Sequence, residues 1–237
     1  MDKVLMYHAI GSKTAEETGA SLYCVSRDNF RRQMEYLVHG PQSTDHGQIL
    51  ITFDDGLLDN YTVAYPILKE LGLKAYFFIL VSRVGTKGYI NWDQARELKN
   101  AGMIIGSHGM THRILTTLND EELNNELRLS KKMLEENLNS SVKYLSMPRG
   151  FYNEKVIDKA KQCGYEAVFT SDIKDSDGFK FGRIAIMGNW DLEHFIYKLN
   201  NGYSLGERIK EFIKDSSKKI LGARRYDEIR TRMLSRG

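Results

Sequence analysis

The sequence predicts an α/β fold, a barrel-like arrangement of about seven parallel strands wrapped by helices and followed by a basic helical extension. Three observations carry this reading. Short apolar runs rich in β-branched and aromatic residues alternate with longer helical patterns. The unusual polar residues His8, Asp54, Asp55, His108 and the Pro148 turn all stand at the carboxyl ends of predicted strands. In a parallel α/β barrel those ends converge on one face, where active sites are built. Finally, residues 203–237 carry ten Lys/Arg against five Asp/Glu, which leaves the tail at +5 and residues 1–202 at −2.

The expected strands are residues 4–10, 49–53, 74–81, 103–107, 142–147, 165–171 and 181–187. Between them, helical patterns run over 27–38, 57–71, 93–101, 120–138, 153–163 and 192–199. Asn119 and Glu122 have capping-box spacing just ahead of Leu123, Leu127 and Leu134, so a helix should start there. Gly72, Gly102 and Gly164 each follow a helical stretch, where a left-handed residue ends the helix. Pro66 falls inside the second pattern and predicts a kink, or a fresh helix with proline in its first turn. The chain therefore reads as a catalytic barrel over 1–202 and an amphipathic tail over 203–237.

With 237 residues, 41% apolar and 27% charged, the chain can bury a core without crosslinks. Cys24 and Cys163 lie far apart in no metal-binding pattern and are expected to be small buried apolar side chains. The N-terminus, MDKVLMYHAIG, has no basic stretch leading into a long apolar run, and no window approaches the length needed to span a bilayer. The expected location is cytoplasmic, with peripheral membrane contact as an option.

Two motifs carry chemistry. The apolar run 49–53 ends in Asp54-Asp55-Gly56, and adjacent carboxylates are costly unless a cation or a shared proton relieves them. The run 103–107 ends in His108-Gly109-Met110-Thr111-His112, a spacing that puts two imidazoles on one side of a turn. Either motif alone is commonly a plain surface turn. Together they offer two nitrogens and one oxygen to a metal, leaving positions open for water or substrate.

The segments TFDDG and SHGMTH resemble the first two motifs of the polysaccharide deacetylases, carbohydrate esterase family 4, over roughly residues 3–187. The resemblance implies a distorted (β/α) barrel, Asp54 as catalytic base, and Asp55, His108 and His112 as ligands of a divalent metal. Zinc is the default, with cobalt, manganese, nickel or iron as substitutes. Pro148-Arg149-Gly150 is similar to the family's Pro-aromatic-Gly turn, which implies that the Arg149 N–H helps hold an oxyanion; Arg149 stands where an aromatic is usual. The family's late Leu-x-His motif is missing, and His194 reads as a surface or packed histidine. Tyr7-His8 instead looks like the permuted branch, in which the acid histidine comes first in the chain, and Arg183-Ile184 resembles that branch's late Arg-Ile. His8 is then the proton donor to the departing amine and Arg183 a charge that tunes Asp54, against the plain readings of a core histidine and a surface arginine.

The implied reaction is removal of an N-acetyl group from an N-acylated sugar, polymeric or lipid-linked. A formamido-sugar deformylase and a catalytically silent carbohydrate-binding barrel are the alternatives. The tail, with apolar residues on one side over 206–236, could pack on the barrel, lie on an anionic membrane or meet a partner. No stacking-aromatic motif accompanies its basic residues, so nucleic acid is not expected.

Overall fold

A computed structural model describes residues 3–11, 21–40 and 49–202, with three positions of the tail (222, 225 and 229). Eight strands form one sheet: β1 (Lys3–Tyr7), β4 (Ile49–Phe53), β5 (Ala75–Ile79), β6 (Ile104–Ser107), β7 (Tyr144–Ser146), β8 (Ala167–Thr170), β9 (Lys180–Gly182) and β10 (Ile184–Ala185). The order is β10-β1-β4-β5-β6-β7-β8-β9, with every neighbouring pair parallel. The two edge strands are consecutive in the chain, separated by Arg183 alone. One segment thus pairs first with β8 and then with β1, closing seven strand positions into a nearly complete barrel. The predicted strand 181–187 is this seam.

The predicted strand 4–10 is also divided. His8 breaks it, and β2 (Ala9–Ile10) pairs instead with β3 (Cys24–Val25) in a separate two-stranded ladder. Among the described residues, seven α-helices follow the strands: α1 (Arg27–His39), α2 (Tyr65–Glu70), α3 (Trp92–Asn100), α4 (Asp120–Asn124), α5 (Ser130–Leu138), α6 (Glu154–Gln162) and α7 (Leu192–Asn201). The Asn119–Glu122 capping box is formed in both directions at the start of α4. Gly72, Gly102 and Gly164 all take positive φ after their helices. Pro66 sits in the first turn of α2, which a π-helical turn over Asn60–Ala64 precedes. A second π turn, Asn125–Leu129, joins α4 to α5 and interrupts what the periodicity reads as one helix.

Strand residues two apart share a face, and the barrel uses both faces. Leu5, Tyr7, Ile51, Phe53, Phe77, Ile79 and Leu145 belong to the main core, with side chains from the surrounding helices. Val4, Phe78 and Phe169 form a separate cluster with Leu50, Tyr76, Tyr144 and Phe181, which plugs the barrel's interior. Gly106 makes room for that plug, since a Cβ there would lie 2.5 Å from the Phe78 ring. Cys24 and Cys163 are half-buried rather than buried as expected; each lies at the edge of the core rather than within it. The proposed tail domain lies outside the described residues, apart from its three isolated positions.

Register aligns the strand ends. Tyr7 pairs with Phe53, so His8 and Asp54 leave the barrel side by side. Ile79 pairs with Ser107, so His108 leaves at the same rim. Replacing Asn119 with Ala removes the side-chain acceptor of the Glu122 N–H, one half of its capping box, and should cost about 1 kcal/mol. Thermal unfolding should show a midpoint lower by a few degrees; an unchanged midpoint contradicts the assignment.

Candidate active site

At the carboxyl rim, Asp54 is buried, and Arg183, only 1% exposed, grips it with both arms. Arg183 Nη1 donates to Asp54 Oδ1 and Nη2 to Oδ2, each at 2.8 Å. The other N–H groups go to Thr52 Oγ1 at 3.2 Å, Ser146 Oγ at 2.8 Å and the Thr170 carbonyl at 3.1 Å. All five guanidinium donors are therefore used, the condition under which a buried arginine is tolerable. Burial pushes the Asp54 carboxyl up, but the Arg183 charge, aided by His108 and by the Arg183 hydrogen bonds, outweighs it and holds the carboxyl at about 2. The surface-arginine reading of Arg183 is thereby corrected; the seam between β9 and β10 directs its side chain into the barrel.

Beside this pair, Asp55, His108 and His112 converge. Asp55 Oδ1 lies 3.4 Å from Nε2 of His108 and 3.4 Å from Nε2 of His112. The three ligand atoms lie within 4.8 Å of one another. Two ligands of a single tetrahedral zinc, each about 2.0–2.1 Å from the ion, sit about 3.3–3.4 Å apart. Separation and chemistry both fit a metal. The second ring nitrogen of His108 faces the Ser146 carbonyl at 3.1 Å, which fixes a proton on Nδ1 and leaves Nε2 as the nitrogen that faces Asp55.

The electrostatics agree. Burial raises the Asp55 carboxyl, but the hydrogen bond from His108 and the charges of His112 and His108 bring it well below the usual carboxylate range. Burial pushes the His112 imidazole down to about 4 against the pull of Asp55, with His108 and Arg149 adding to the fall. Burial also acts against a charged His108, yet Asp54 and Asp55 outweigh it and raise that ring.

Three site residues adopt left-handed backbone that non-glycine residues rarely take: Asp55 (φ 71°), His112 (φ 62°) and Arg149 (φ 58°). Such conformations cost of order 1–3 kcal/mol and cluster where function requires them. At Asp55, the strained turn lets two adjacent carboxylates serve one hollow. Gly150, next to Arg149, is fixed by crowding as well, since a Cβ there would lie 1.8 Å from Ser171 Oγ.

His8 stacks on Tyr23, with ring centroids 4.9 Å apart. Its Nδ1 is buried and has no hydrogen-bond partner among the described residues. Burial lowers its pKa, while Asp55 and Asp54 pull it up. The ring thus lies where both carboxylates act on it. His194 packs against Trp190, with its backbone N–H capped by Asp191. Thr52 and Ser146, whose hydroxyls receive Arg183, and Thr170, whose carbonyl does, were missed in the sequence; a small hydroxyl residue in an apolar strand was the available signal for the first two, and a backbone carbonyl leaves none.

The sequence profile of the polysaccharide deacetylase family matches residues 42–168, more than half of the chain. The chain belongs to this family. A peptidoglycan-N-acetylglucosamine deacetylase of Bacillus cereus is 32% identical over 124 residues, 52% of this chain and 56% of that protein. Peptidoglycan-N-acetylmuramic acid deacetylase PdaA of Bacillus subtilis is 30% identical over 134 residues, 54% of this chain and 48% of its own. Among solved structures, the deacetylase PplD of Streptococcus pyogenes, in complex with acetate, superposes with TM-score 0.71 at 26% identity, covering 82% of this chain and 96% of that one. A polysaccharide deacetylase from Bacillus cereus gives TM-score 0.72 at 26% identity, covering 84% of this chain and 68% of that one. The chain spans less than two thirds of the length of the curated relatives it matches.

Arg183→Met should destabilise the fold by about 3–5 kcal/mol at neutral pH, because it strands a buried carboxylate. The sign with pH follows from Asp54, whose folded value of about 2 lies below its ordinary 3.8. A depressed carboxyl stabilises above its ordinary value, and that contribution fades as pH falls toward the folded one. Urea unfolding of both proteins should show the gap narrowing as pH falls from neutrality; a gap independent of pH contradicts the pairing.

Proposed function

We propose that this deacetylase-family protein removes the acetyl group from an N-acetylated sugar of a cell-envelope glycan, with a divalent ion, zinc by default, held by Asp55, His108 and His112. The observation that carries this reading is the juxtaposition of three convergent ligand atoms with an arginine-clamped carboxylate. Relatives named for peptidoglycan N-acetyl sugars, and a neighbour bound to acetate, support the substrate class and the acyl group.

The ion supplies Lewis-acid polarisation of the acyl oxygen and acidifies water at the site. The side chains divide the rest. Asp54 is ionised above about pH 2 and receives the proton of the attacking water. Arg183 occupies one lone-pair direction on each Asp54 oxygen and leaves the others for that task. The Arg149 N–H, presented by the turn between Pro148 and Gly150, donates to the developing oxyanion. His8 delivers a proton to the amine nitrogen as the C–N bond breaks. Burial works against a charged His8 while the charges of Asp55 and Asp54 work for it, so His8 starts protonated and serves as donor best below the ordinary imidazole range.

Acetate release from N-acetylglucosamine oligomers and from peptidoglycan tests the reading. Zinc-loaded protein should release acetate and chelator-stripped protein should not. Asp54→Asn should lower turnover by about 10²–10⁴-fold with zinc content unchanged. Failure to bind zinc, or full activity in Asp54→Asn, contradicts the assignment. His8→Gln should cost a similar factor and abolish the alkaline limb of the pH–rate profile; a limb that persists removes His8 from the proton-donor role.

A further inference from the structure

The turn that carries His108 and His112 is anchored from a helix that contributes no ligand. Glu126 is 5% exposed and lies in the π turn Asn125–Leu129. Its Oε2 accepts the backbone N–H of Met110 at 2.8 Å and of Thr111 at 3.0 Å. Its Oε1 accepts the Thr111 hydroxyl. One carboxylate therefore fixes the two residues immediately before His112, which is itself held at φ 62°.

Hydroxyl groups secure both ends of this arrangement. Ser107, just before His108, donates to Ser130 at 3.0 Å and accepts the Gly109 N–H at 3.1 Å. Ser130 in turn donates to the Glu126 carbonyl at 2.6 Å, and the Tyr165 hydroxyl donates to the Leu127 carbonyl at 3.0 Å. These bonds satisfy carbonyls that the wider π turn leaves exposed. Gly109 lies between the two elements: its φ of 78° disfavours any side chain, and a Cβ there would crowd Glu126 Oε2 at 3.2 Å.

We infer that Glu126 is a positioning residue for the metal site, holding the 108–112 turn in the one conformation that aims His112 Nε2 at Asp55. The inference rests on the metal-binding reading above. Backbone anchoring, rather than charge, is the operative property, because the acceptors meet N–H and O–H donors of the turn and touch neither imidazole. The order of two variants therefore tests it. Glu126→Asp keeps the charge but is one methylene too short to reach Met110 and Thr111. Glu126→Gln loses the charge but keeps the reach, with its oxygen on the two N–H groups and its amide on the Thr111 hydroxyl.

Zinc affinity of the full-length protein, measured by chelator competition with zinc as the only probe, gives the readout. Glu126→Asp should bind zinc about 10–100-fold more weakly, the usual cost of losing support behind a ligand. Glu126→Gln should stay within a few-fold of wild type. Equal affinity in Glu126→Asp and wild type overturns the inference, as does the reverse order, which would indicate a charge effect. Wild-type protein that takes up no zinc would instead refute the metal reading itself, a result distinguishable from either.

Discussion

The buried pair of Arg183 and Asp54 is the interaction on which the rest of the site depends. A guanidinium and a carboxylate removed from water are affordable only when every donor is met and the geometry is close. Thr52, Ser146 and Thr170 meet that condition from three different strands, and Asp54 itself takes the remaining two donors. The arginine also occupies the one residue between the two edge strands of the sheet. Barrel closure and orientation of the carboxylate are thus a single structural event. A barrel that failed to close would leave Asp54 both unpaired and misdirected.

From that point the site is assembled by register. Parallel pairing brings four strand tips to one level, and the chain beyond each tip needs only a residue or two to place its functional group. Left-handed backbone at Asp55, His112 and Arg149 is the local cost of turning those groups inward. The surroundings hold it in place: Pro148 and Gly150 around Arg149, and Glu126 behind the 108–112 turn.

Much of this was legible in the sequence. Apolar runs placed β4 to β8 closely because each has buried residues on both faces, and the capping box at Asn119 marked a helix start through bonds that require no tertiary partner. Asp55, His108 and His112 were legible because ligand chemistry restricts residue type and spacing. His8 and Arg183 were harder, since each has an ordinary packing explanation and only the closed barrel brings them to Asp54. The two π turns were invisible, because an extra residue within a helical turn hardly alters a hydrophobic period of 3.6. Glu126 did leave a trace: it shares the inward stripe with Leu123, Leu127 and Leu134, where a carboxylate has no place unless something receives it.

Anomalous diffraction at the zinc edge, from crystals of the zinc-loaded protein, tests the central claim most directly. A single strong peak about 2.0–2.2 Å from Asp55 Oδ1, His108 Nε2 and His112 Nε2 is the predicted result. A peak elsewhere, or one contacting only one of the three, would contradict the account.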